Sequence, residues 1–313
     1  MRTMFDRSSA IPGPDVGDTR AAAGRINDPG LYGPASEAWH LNREATLLLG
    51  AGPRALLMQV AHPLVAEGVA QHSNFQADPW RRLRSTLRSY LTIVYGTSGQ
   101  ARAEIARLNR LHREISGPVR DPAVARALGG SYRARDPELS LWVHATLIDA
   151  TLVAHDRWIG RLSNDQRARF YAETRPIGRA FGVPEAILPA DLAGFERYLA
   201  GMVGPGGPVQ VGPTARELAR FILRPPLGPL HPALAGVPAA LYAWIMWPAI
   251  GLLPEPVRLG YGLAWGRRER LVAAWLTTGY RAWRPIIPVG LRTMPWARAA
   301  DARLAAGAPL AAA

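Results

Sequence analysis

The stretch Asp136-Pro137-Glu138-Leu139-Ser140-Leu141-Trp142-Val143-His144-Ala145-Thr146-Leu147-Ile148-Asp149-Ala150-Thr151-Leu152-Val153-Ala154-His155 decides the class of this chain. Asp followed by Pro is a helix start: the carboxylate accepts from the first free N–H groups, and proline lacks an N–H where none is needed. The text that follows is strongly apolar and free of Gly and Pro, which predicts a long helix over 138–157. Such a helix is buried on most of its surface.

The same grammar continues outward. Asp78-Pro79 leads a helix over 80–95, and Gly96-Thr97-Ser98 ends it and caps the next over 99–115. Ser163-Asn164-Asp165 starts another through 180. Further helices are expected over 44–60, 62–70, 189–203, 214–223, 233–250, 256–265 and 267–280. Only 209–211 and 286–289 read as strand, and no internal repeat is found. The fold class is therefore all-α. Residues 1–36, rich in Gly, Pro, Asp and Ala, read as a poorly ordered arm. A single large helical domain is expected over 37–290, with a C-terminal tail over 291–313.

Composition removes much chemistry. The 313 residues hold no cysteine and no lysine; all 37 basic side chains are arginine. Disulfides, iron–sulfur clusters, thiolate ligation, Schiff bases and P-loop lysines are excluded. Net charge is +13, unevenly placed: residues 1–213 carry 25 Arg against 20 acids, and 214–313 carry 12 against 4. No zinc finger or RNP strand accompanies that charge, so nucleic acid is set aside as a partner. The first 19 residues hold no apolar core and do not read as a secretory signal. The run 225–254 has no charged residue, but prolines interrupt it and Trp244 and Trp247 sit in its middle. It reads as a buried helix pair, with an interfacial segment or a span as alternatives. Beside it, Arg267, Arg268 and Arg270 suit peripheral docking on anionic membrane. The expected location is cytoplasmic, in part at the inner face of the membrane.

Seven histidines remain as ligands or proton carriers: His40, His62, His72, His112, His144, His155 and His231. One Glu-x-x-His exists, at Glu37–His40, where a di-iron bundle needs two. His-Glu-x-x-His, His-x-His and Gly-x-Ser-x-Gly are all absent. Arg82 and Thr86 stand four apart on one helix, hence on one face, and can bind a carboxylate or propionate together. His62 and His72 bracket a short apolar helix, His112 lies near a helix end, and His144 and His155 share a face three turns apart. A lone histidine on an apolar helix is commonly a hydrogen-bonded core residue, and Arg81-Arg82-Leu83-Arg84 is equally a solvated run. From the residues alone the reading is a helical protein with a histidine-rich interior, holding a metal or haem.

The order Leu41-Asn42-Arg43-Glu44-Ala45, Ala61-His62-Pro63, Gly68-Val69, His72-Ser73, Phe75, Asp78-Pro79, Arg82, Thr86, Tyr95-Gly96-Thr97 resembles the oxygenase MpaB and rubber-oxygenase (latex clearing protein) family. Leu111-His112, Tyr132-Arg133-Ala134, Leu141-Trp142-Val143-His144 and Leu252-Leu253-Pro254 with Arg258 continue it, from about residue 39 to 283. The resemblance implies a globin-like helical core around one haem b. It also implies cleavage of isoprenoid double bonds by dioxygen.

By the same resemblance, His112 is the proximal iron ligand, Arg82 and Thr86 flank the haem and His144 lines the same region. Glu67 is the counterpart of a glutamate base. Ser85 stands where rubber oxygenases carry a lysine that caps the distal iron, which weakens polyisoprene as the substrate. The implied partners are dioxygen and a small apolar prenyl or lipid-like alkene. A non-enzymatic haem- or lipid-binding protein on the same scaffold is the alternative.

Overall fold

Two antiparallel helices form the spine of the molecule, α2 (Leu47–Ala61) and α7 (Pro137–Trp158). Residues 27–73, 79–224 and 246–307 are described by this computed structural model. The Asp136 carboxylate accepts from the N–H groups of Glu138 and Leu139, with Pro137 in the first turn. Along the pair, Gly50 meets Trp158, Arg54 meets Asp149 and the Gln59 carbonyl accepts from the Trp142 indole. Rising numbers on one helix face falling numbers on the other, which makes them antiparallel. Twelve α7 side chains are buried, so the helix is covered on several sides, as its composition required.

The remaining helices wrap this spine. They are α1 (Glu37–Leu41), α3 (Pro63–His72), α4 (Pro79–Tyr95), α5 (Ser98–Glu114), α6 (Pro122–Leu128), α8 (Asn164–Ala180), α9 (Leu192–Val203) and α10 (Pro213–Leu223). Leu57, Met58 and Trp142 pack with Leu218 of α10 and with Ile250 and Val257 from the C-terminal part. On the other side Ile148 and Leu152 of α7 meet Phe170 and Tyr171 of α8 and Phe195 of α9. Reciprocal capping boxes at Thr97/Gln100 and Ser163/Gln166 open α5 and α8.

The all-α class holds, and the short extended segments fall elsewhere than expected. Ser116–Pro118 pairs antiparallel with Ser131–Arg133, turning Tyr132 inward. Residues 209–211 and 286–289 form no strand. The Val209 N–H bonds the Met202 carbonyl instead, and the Ile286 and Ile287 N–H groups bond the Trp283 carbonyl. A strand needs a partner at ladder distance, and local alternation does not supply one.

The C-terminal chain returns to the start of the domain. Helices at Glu255–Gly260, Arg267–Trp283 and Val289–Arg292 precede one at Pro295–Ala306. In the last, Trp296, Ala297 and Ala300 are buried against Trp39, Leu91 and Tyr95. Arg43 makes a two-pronged pair with Asp301, and Ala45 and Arg43 exchange backbone bonds with Arg292 and Met294. Residues 291–306, set apart from sequence as a tail, are thus packed. Of the expected arm, 1–26 lies outside the described residues, whereas the Asp28 side chain accepts from Gly30 and Ser98. Most of 225–254, from 225 to 245, also lies outside them, as does His231. Among the described residues no helix is long and apolar enough to cross a membrane.

Candidate functional site

α4 and α5 form a hairpin whose facing sides carry Arg82 and His112. Arg82 reaches solvent, yet enough protein surrounds it that its guanidinium is held below the ordinary arginine value. Its Nη1 donates to the Ser73 hydroxyl at the end of α3, 3.1 Å away. Thr86, one turn on, is exposed along the same side of the helix. His112 sits two residues before the end of α5, half-buried, its ring 6.4 Å from that of Phe181. Burial first, then the charges of Arg82 and Arg107, lower its pKa. The imidazole is therefore neutral at neutral pH, with a nitrogen lone pair free to bind a cation or accept a proton.

Arg107 was not anticipated from sequence. Its guanidinium is held by Glu104 and the Ser89 hydroxyl, so it contributes charge near His112 from a fixed position. Asn109 donates to the Ala180 carbonyl at 2.8 Å and ties α5 to the end of α8. That end is where the second histidine arrives.

His144 projects from the middle of α7 and is 9% exposed. Its pKa is pushed down to about 4, by burial first and against a hydrogen bond to the Thr174 carbonyl. Nε2 is buried without a hydrogen-bond partner and lies against Gly178 of α8. Phe181 beside His112 and Gly178 beside His144 are three residues apart, so both imidazoles converge on one helix end. Gly178 carries a sequence signal that went unread: glycine inside a helix costs about 1 kcal/mol relative to alanine and implies a packing reason. Phe181, after the helix, carries none.

Glu67 stands apart from this group. Buried in α3, it accepts from Thr214 at 3.0 Å through one oxygen, and from Gln71 at 2.8 Å and the Arg120 N–H through the other. Among the described residues no contact links it to Arg82, His112 or His144. Of the other histidines, His72 bonds the Ser116 carbonyl and His155 the Gly160 carbonyl, while His62 Nδ1 is buried without a partner. His62, at the start of α3, is held neutral by burial, which pushes its pKa down to about 4.

Among the described residues no three His, Asp or Glu side chains gather as a cluster that could hold a metal ion. Haem asks less of the chain: one or two axial ligands and cations for its carboxylates. The neutral His112 imidazole beside Arg82 fits that demand, whereas the His144 Nε2 is closed off by the Gly178 backbone.

An all-α domain with this residue set falls in a class of oxygenase catalytic domains. Residues 39–283 match the family described as ER-bound oxygenase mpaB/B'/Rubber oxygenase, catalytic domain, and the chain belongs to it. An uncharacterized protein of Mycobacterium tuberculosis and one of Mycobacterium bovis are each 24% identical over 237 residues, which cover 74% of this chain and 87% of theirs. No solved structure matches the chain.

Proposed function

We propose that this protein is a haem b-dependent oxygenase acting with dioxygen on an apolar, prenyl or lipid-like alkene. The observation that supports it most is His112, kept neutral by burial and by Arg82 on the α4–α5 hairpin of a chain from an oxygenase family. His112 would hold the iron, because a neutral imidazole presents its lone pair without first losing a proton. Arg82 would bind a haem carboxylate by a charge-assisted hydrogen bond, with the Thr86 hydroxyl as a second donor. His144 would line the same region. Bound haem b would supply dioxygen activation and oxidative cleavage of the carbon–carbon double bond.

Glu67 favours the second reading, a haem- or lipid-binding protein without turnover. Both of its carboxylate oxygens are occupied by Thr214, Gln71 and Arg120, and Ser85 stands in place of the family's lysine. Pyridine-haemochrome analysis of protein expressed with adequate iron tests the cofactor. Oxygen uptake with a prenyl alkene then separates the two readings. Haem with oxygen consumption supports the oxygenase, haem without it the haem binder, and absence of haem removes both of these and leaves only lipid binding.

A further inference from the structure

The Arg267–Trp283 helix packs Tyr280 against Trp158 but turns other large apolar side chains outward. The side chains it buries are small, Ala273 and Thr277, while Leu271 is 67% exposed and Trp275 74%. A surface helix of a globular protein does the reverse, turning its large apolar residues to the core. At 100° per residue Leu271, Trp275 and Ala282 fall on one stripe. Trp283, about 120° round the helix from Leu271, and Ile286, Val289 and Leu291 in the chain that follows are also at least 60% exposed.

Charge frames the stripe. Exposed Arg267, Arg270 and Arg281 run along one edge, and Arg268 lies on the other with its guanidinium over the Trp247 ring. Between residues 262 and 300 there are seven arginines and a single acid, Glu269. Its carboxylate is turned to the Gly266 N–H at 2.8 Å. Arg284 and Arg292 neutralise Glu44, so they leave the surface charge to the others. Large apolar side chains exposed along one helix stripe mark an interaction site.

We propose that the stripe of Leu271 and Trp275, together with the exposed apolar residues Ile286 and Leu291 after the helix, docks on an anionic lipid surface, with the flanking arginines on the headgroups. Arginine and tryptophan beside an apolar stripe is the composition of a helix lying in the membrane interface, and an acid-free rim complements anionic lipid. From sequence the docking cations are Arg267, Arg268 and Arg270 beside the apolar run 225–254; the exposed Leu271 and Trp275 lie on the same helix as those arginines. This inference is independent of the haem reading.

Co-sedimentation of the full chain with phosphatidylcholine–phosphatidylglycerol vesicles tests it, against pure phosphatidylcholine. Binding is expected to anionic vesicles only, and to fall as salt rises. Leu271→Glu with Trp275→Glu should abolish it without changing circular dichroism or the melting temperature, since both side chains already face solvent. Each arginine near such a surface is worth roughly fivefold in binding, so replacing Arg267, Arg270 and Arg281 with glutamine should weaken it about a hundredfold. No sedimentation at low salt, or sedimentation that the double variant retains, would overturn the proposal. So would a dimer in light scattering that the double variant dissociates, because the stripe would then be a contact between copies.

Discussion

The Nε2 atom of His144 lies against Gly178, where an added Cβ would stand 3.3 Å from it and 3.1 Å from Cδ2. An α7 imidazole and an α8 backbone thus approach at a distance only glycine allows comfortably. Helix propensity argues for alanine there by about 1 kcal/mol, and packing argues against it. Because the ring is buried and fixed through Thr174, packing should win. Gly178→Ala is expected to lose about 1–2 kcal/mol in urea unfolding. Gly279→Ala, a helical glycine with open space around it, should gain about 0.5–1 kcal/mol. Equal gains at both positions would show that the His144 ring moves freely.

Replacement of His112 tests the ligand assignment. His112→Ala should lose most haem from purified protein, measured by the Soret absorbance per chain. On α4, Arg82→Ala should weaken haem retention by about 1.5–3 kcal/mol through loss of a charge-assisted hydrogen bond. Arg84, which points about 160° from Thr86, should tolerate alanine. If Arg82 and Arg84 behave alike, Arg82 belongs to an ordinary charged face.

Acid should destabilise the fold through its buried histidines. His62 and His144 are both held at about 4, below the ordinary histidine value of about 6.5. Between those values the unfolded chain binds protons that the folded chain refuses, so stability falls as pH falls from about 6.5 towards 4. Each histidine contributes a slope of about 1.4 kcal/mol per pH unit in that window. Urea midpoints at pH 7.5, 6 and 5 check this, and a flat profile would mean that neither imidazole is buried neutral.

The spine contains a buried ion pair. Arg54, 4% exposed, donates through Nε to Asp149 at 3.0 Å, and its Nη1 is buried without a partner. Asp149→Ala should cost about 3–5 kcal/mol, because it strands a charge inside the α2–α7 interface. The double change Arg54→Met with Asp149→Leu should recover most of that loss in thermal melting. Failure to recover would show that the pair is required for packing as well as for charge balance.

Helix starts were legible in the sequence because their causes are local. Asp136 reaches N–H groups two and three residues away, and Thr97 and Ser163 exchange bonds with Gln100 and Gln166 three residues on. The 209–211 segment was misread because strand pairing depends on a neighbour that alternation does not identify. Arg82, His112 and His144 were found through resemblance, which carries residue roles across without any geometry.

What the amino-acid order determined by itself was the all-α class, the caps and the exclusion of cysteine and lysine chemistry, since these rest on composition or on contacts within one turn. Only the tertiary structure decided which distant groups meet. Glu67 is satisfied by Thr214, 147 positions away, and so stands apart from the histidines. Residues 291–306 pack against the first helices because Trp296 and Ala300 find Trp39 and Tyr95 there. The outward turn of Leu271 and Trp275 was likewise decided in three dimensions. A helical period shows that residues share a face, but the packing partner selects the face that is buried, and here it selected alanine and threonine.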